Sequence, residues 1–210
     1  MKYIDISLTI DKNLPHWPTE NAVKVRKIKS IVKGDKVNIT QIDMSVHTGT
    51  HVDAPTHFVK NGKAIDQLPL DRLIGKCYVC NVKNSEVINI DFLKNVKMSK
   101  NIKKLLFKTK NSNLWGKKKK FFKNYVALTA DAAKWLVKKG IDLVGIDYLS
   151  IGRFDKENTK THKILLKKGV VVVEGLNLKN VNQGIYELII LPIKIKGSDG
   201  APARAILKIL

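Results

Sequence analysis

The chain has 210 residues, 44% of them hydrophobic and 27% charged, a balance that excludes a disordered polymer and suits one globular domain over residues 1–210. It holds no run of 18 or more apolar residues, which excludes a membrane-spanning helix. The formal net charge of +21 comes from 39 basic residues, only four of them arginine, so the bidentate guanidinium favoured by nucleic-acid readers is scarce and that function is a remote reading.

In chain order, the opening Met1-Lys2-Tyr3-Ile4-Asp5-Ile6-Ser7 puts an acid inside an alternating strand pattern and lacks a signal peptide's apolar stretch, so a cytoplasmic protein is expected. Period-two and β-branched patterning predicts strands over Tyr3–Leu8, Val37–Val46, Cys77–Val82 and Leu105–Thr109, then Leu143–Asp147, Val170–Glu174, Tyr186–Ile195 and Ala203–Ile209. A helix is predicted over Thr129–Lys139, with Thr129 as N-cap, Ala130, Ala133, Leu136 and Val137 as its apolar stripe and Gly140 as its stop. A second, short helix is predicted over Thr161–Lys168, ended by Gly169. More strand than helix indicates a β-rich α/β fold. Cys77 and Cys80 are three apart in a strand pattern, which sends them to opposite faces as ordinary reduced, partly buried thiols. Lys94 to Lys123 carries twelve lysines and no acid, with Lys117-Lys118-Lys119-Lys120 beside Trp115, Phe121 and Phe122; it reads as a solvated basic face that attracts anionic small molecules.

The segment Ser45-Val46-His47-Thr48-Gly49-Thr50-His51-Val52-Asp53-Ala54-Pro55-Thr56-His57-Phe58 holds three of the chain's five histidines and an aspartate within eleven residues. Gly49, two threonines and Pro55 disfavour a helix. Along an extended path His47, His51, Asp53 and His57, all odd-numbered, share one side, and the preceding strand fits that phase with Ile42, Met44 and Val46 as an apolar even face. Imidazole nitrogen and carboxylate oxygen suit Zn²⁺, Mn²⁺ or Fe²⁺. His162 near the start of the second helix and Glu174 at the end of the Val170–Val173 run are further candidates, because an acid closing an apolar strand needs a partner or a metal. Trp17, in Pro15-His16-Trp17-Pro18, is a candidate flat wall for a substrate, and Phe58 a second.

The stretch from His47 to Phe58 resembles the signature of the metal-dependent cyclase family, which includes bacterial kynurenine formamidases (arylformamidases) and isatin hydrolase. Further likenesses follow in order: Tyr3 to Ser7 and Trp17-Pro18, then Asn111-Ser112, Trp115 and Asp142 to Asp147, then Glu174-Gly175-Leu176 and Gly197-Ser198-Asp199-Gly200-Ala201-Pro202-Ala203-Arg204. The resemblance implies a binuclear site, with His47, His51 and Asp53 on one ion, Asp53, His162 and Glu174 on the other, and His57 as acid and base. It also implies two divalent ions per subunit (zinc, with manganese as the alternative), a swivelling β/β/α fold, a homodimer and hydrolysis of a small-molecule amide, N-formyl-kynurenine to kynurenine and formate. Two departures bear on the substrate: Thr19-Glu20 follows Trp17-Pro18 where the formamidases more often carry Gly-Asp, and Thr161 precedes His162 where they carry a second histidine.

Overall fold

The computed structural model describes residues 2–210 except 84, 100, 118, 119, 155 and 156. In chain order the strands and helices are β1 (Tyr3–Asp5), β2 (Lys24–Lys29), β3 (Ile39–Asp43), β4 (His51–Asp53), α1 (Leu70–Leu73), β5 (Ile74–Asn81), β6 (Val87–Ile88), α2 (Ile90–Lys94) and β7 (Lys104–Lys108). They continue as β8 (Ala127–Leu128), α3 (Ala130–Lys138), β9 (Leu143–Ile146), α4 (Glu157–Leu166), β10 (Val171–Glu174), β11 (Gly184–Pro192) and β12 (Gly200–Ile209). Seven strands close on themselves in the order β12-β11-β5-β7-β9-β10-β4, because β4 pairs with both β10 and β12. The steps from β5 through β7 and β9 to β10 are parallel and the rest antiparallel. One edge of β12 is shared: Gly200, Ala201 and Pro202 face β4, and Ile206, Leu207 and Lys208 face β1. The architecture is the expected β-rich α/β arrangement, built on a barrel-like sheet.

Strand parity divides the core into two. Val52, Cys77, Val79, Leu106, Val171, Val173 and Ala201 pack inside the closed sheet. Their neighbours Cys80, Leu105, Phe107, Val144 and Val172 point outward, against Ala133 and Leu136 of α3 and Leu165 and Leu166 of α4. Burial on both faces explains why Val170–Val173 reads as an unbroken apolar run. The two cysteines occupy opposite faces as expected; both are buried and free.

α3 starts where its cap predicts, the Thr129 side chain accepting the Ala132 N–H. α4 begins one turn earlier than the sequence indicated, because Glu157 to Lys160 is polar and shows no apolar stripe. His162 therefore sits inside that helix, not near its start.

The structure corrects the expected strand over Val37–Val46. Only Ile39–Asp43 is strand, and it pairs with β2 in a separate two-stranded ribbon whose residues are exposed throughout. Ile42, read as part of an apolar even face, is 52% exposed. A two-stranded ribbon offers no second layer to cover that face. Within Lys94–Lys123, Lys104 is buried and donates to the Asp71 carbonyl at 2.8 Å, while Lys108 donates to the Lys179 and Val181 carbonyls. Part of the basic stretch is thus internal scaffolding. The Lys117–Lys120 run includes Lys118 and Lys119, which lie outside the described residues.

Candidate metal centre

The site lies on the outer face of the closed sheet, where α4 covers the end of β10. In β4, His51 and Asp53 point outward while Val52 enters the core between them. Glu174 ends β10 directly opposite His51, and Val172 stands opposite Asp53, so side chains from both strands rise from one face. α4 delivers His162, whose Nε2 lies 3.0 Å from Glu174 Oε1 and 3.6 Å from Asp53 Oδ2. His47 and His57 flank β4 on either side. The extended path expected through them is broken by Gly49 at φ 68° and by a short turn over Pro55–His57, so the histidines converge by a change of direction. His47 Nδ1 is 3.0 Å from Asp53 Oδ1, and the His47 and His57 rings lie 4.0 Å apart.

Three donor triads result among the described residues, each with its ligand atoms within 4.8 Å of one another: His47/His51/Asp53 and Asp53/His162/Glu174, which share Asp53, and His47/His57/Asp199. His51 Nε2 and Asp53 Oδ2 are buried without a hydrogen-bond partner among the described residues. Such orphaned atoms are costly unless a cation or proton serves them. The tautomers agree: His51 Nδ1 donates to the Gly49 carbonyl at 2.9 Å and His162 Nδ1 to the Asn158 carbonyl at 2.9 Å, leaving each Nε2 bare towards the carboxylates. The donor set fits a divalent ion such as Zn²⁺ or Mn²⁺.

Electrostatics point the same way. Burial disfavours charge on His51, yet the facing Asp53 and Glu174 carboxylates outweigh it and raise the imidazole to about 10. Burial likewise works against the Asp53 carboxylate, and His47 and His51 hold it well below the usual carboxylate range. The pocket is a strong negative well that captures a proton where a cation would bind. His57 differs: burial holds its imidazole below its ordinary value, which keeps it neutral near pH 7 and able to accept a proton.

An open cleft adjoins the centre, lined by His57, His162 and Glu174 together with Trp17, Phe58 and Leu149. Trp17 makes edge contacts with Phe121 and Phe154 at 5.0 and 5.1 Å, and Phe58 lies over the His162 ring at 4.7 Å. Every residue singled out from the sequence therefore meets at this one place. Two more belong to it: Glu20, marked in the sequence only as a departure that bears on the substrate, and Asp199, named there only within a block of family likeness. Glu20 lines the cleft, accepts from Ser45 Oγ at 2.9 Å and keeps Oε2 buried without a partner among the described residues. Asp199 places Oδ2 2.7 Å from His47 Nε2; in the sequence it stands between Ser198 and Gly200 in a glycine-rich turn.

The "Putative cyclase" family model matches residues 4–153. The chain belongs to the cyclase family. Cyclase-like protein 3 of Arabidopsis thaliana is 37% identical, over 98% of this chain and 79% of that protein. The kynurenine formamidase of Bacillus cereus is 33% identical, over 99% of this chain and 97% of that protein. Among solved structures, a predicted metal-dependent hydrolase from Bacillus stearothermophilus superposes with a TM-score of 0.83 at 35% identity, covering 98% of this chain and 97% of that one. Isatin hydrolase A from Labrenzia aggregata, at 21% identity and a TM-score of 0.82 over 98% of this chain and 93% of that one, shares the fold. Within the cyclase family, this member is a metal-dependent amidohydrolase.

Proposed function

We propose that this cyclase-family protein hydrolyses aryl formamides, converting N-formyl-kynurenine to kynurenine and formate in tryptophan catabolism, with zinc or manganese at two positions per subunit. The observation that carries this reading is the pair of donor triads sharing Asp53 beside an aromatic-walled cleft. The kynurenine formamidase relatives, matched over nearly their whole length, support the substrate.

His47, His51 and Asp53 would hold one ion, and Asp53, His162 and Glu174 the other. A bound divalent ion supplies Lewis-acid polarisation of the formyl carbonyl and a water nucleophile at neutral pH. Trp17 and Phe58 flank the aryl ring and exclude water from its faces. His57 accepts the proton lost by the attacking water and returns it to the aniline nitrogen as the carbon–nitrogen bond breaks, so a neutral amine leaves together with formic acid, which releases its proton to solvent as formate. We further assign the closed sheet to the swivelling β/β/α type and the working form to a cytoplasmic homodimer. The exposed Ile28, Ile39 and Ile42 of the β2–β3 ribbon offer a second copy an apolar surface.

A second reading, hydrolysis of a cyclic amide such as isatin, is favoured by one observation: Glu20 lines the cleft where formamidases more often carry aspartate. Parallel assays on N-formyl-kynurenine and isatin decide. The primary reading predicts a kcat/KM at least about tenfold higher for the formamide; the reverse order would replace it.

A further inference from the structure

We propose that Asp199 is a positioning residue that sets the tautomers of His47 and His57 together, through one carboxylate oxygen shared between them. This rests on the reading above of His47 as a metal ligand and His57 as the proton carrier.

Asp199 Oδ2 lies 2.7 Å from His47 Nε2 and 3.2 Å from His57 Nδ1. A carboxylate only accepts, so the nitrogen facing it on each ring carries the proton. On His57 the other nitrogen, Nε2, is then bare, on a ring that lines the cleft. On His47 the other nitrogen, Nδ1, faces a second carboxylate, Asp53 Oδ1, across 3.0 Å, and it is the nitrogen that would give up its proton to an ion shared there. His51 and His162 expose Nε2 because backbone carbonyls hold their Nδ1 atoms. His47 presents the opposite nitrogen, and Asp199 is the group that makes the difference.

The carrier loop is tied to the ligand strand. The Asp199 carbonyl accepts the Ala54 N–H at 2.8 Å, immediately after Asp53, and the Ser198 carbonyl accepts the Ile65 N–H at 2.9 Å. Gly200 completes the fit, since a Cβ there would come within 2.8 Å of His47 Cε1. Carboxylate partners of this kind orient ligand imidazoles and fix their tautomer.

With five histidines in the chain, two-bond proton–nitrogen correlation spectra of the zinc-loaded, ¹⁵N-histidine-labelled protein read each tautomer directly. The expected spectrum shows His47 protonated on Nε2 and His57 on Nδ1. In Asp199→Ala, His57 reverts to the Nε2–H form that dominates in a free histidine side chain, and zinc affinity measured against a competing chelator falls about 10- to 100-fold. Asp199→Asn, which keeps one acceptor, loses less. His57 carrying its proton on Nε2 in the wild type overturns the proposal, whether or not the variants fold. So does an Asp199→Ala protein that binds fewer ions even at saturating zinc, which would make Asp199 a ligand together with His47 and His57. If zinc does not bind, the metal reading fails separately, while the His57 tautomer in the unloaded protein still decides the role of Asp199.

Discussion

Glu174 and His51 stand opposite each other across the antiparallel β10–β4 pair, and that one register joins the two halves of the proposed metal centre. A slip of one residue would turn His51 and Asp53 into the core and Val52 out of it. The neighbouring pairing of Asp53 with Gly200 brings the Asp199 turn to the same edge. The ligand set is thus a property of the closed sheet, whose two ends meet at β4.

Removing the imidazole of His57 tests the division of labour. His57→Ala is expected to lower kcat about 10²- to 10⁴-fold, the usual worth of a positioned acid–base group, with bound metal unchanged by elemental analysis. Loss of metal in step with activity would instead make His57 a ligand.

Gly175 follows the proposed ligand Glu174 with φ 68°, and a Cβ there would lie 2.0 Å from the Gly49 carbonyl oxygen. That oxygen is backbone and accepts from His51 Nδ1. Gly175→Ala should cost roughly 2–5 kcal/mol, combining left-handed strain with overpacking, and should weaken metal binding by displacing Gly49. Equilibrium denaturation measures the first effect and chelator competition the second. A wild-type unfolding midpoint would refute the account of this contact.

Asp147 ends the β9 region fully buried, accepting from the backbone and hydroxyls of Thr109 and Ser112. Burial nevertheless pushes its carboxyl up to about 6. A carboxyl raised above its unfolded value binds its proton more tightly when folded, so its contribution to stability is complete below pH ~4 and is lost as pH rises through about 6. The shift is worth on the order of 3 kcal/mol. The unfolding free energy of wild type minus that of Asp147→Asn should fall by that order between pH 4 and 7. A difference that does not change with pH would show that Asp147 is ionised throughout.

Cys77 and Cys80 are buried on opposite faces of β5, and burial pushes both thiols up to about 12. Thiolate is the reactive form. A disulfide reagent at pH 8 is expected to label neither cysteine in the native protein and both in guanidinium. Fast labelling of the native protein would point to an opening of the sheet at β5.

Sequence reading found what is local. The spacing from His47 to His57, the Thr129 cap and the parity of Cys77 and Cys80 each depend on residues within a turn or a strand. The contact of His162 and Glu174 with Asp53 was not local: it needs the β9–α4–β10 crossover to lay α4 over β10, and it entered through family likeness. Asp199 was invisible as a site residue because its partners lie 142 and 152 positions away. The phase assigned to Ile42 failed for a related reason: alternation reveals which face is apolar, but only the packing partner determines whether that face is covered within one chain.

The most direct test of the account is to count metal ions per protomer and to follow N-formyl-kynurenine hydrolysis through chelation and reloading. The account predicts two ions, activity that disappears with them, and recovery on adding Zn²⁺ or Mn²⁺. Hydrolysis that survives complete removal of metal, or a fully loaded protein that leaves the formamide intact, would contradict it.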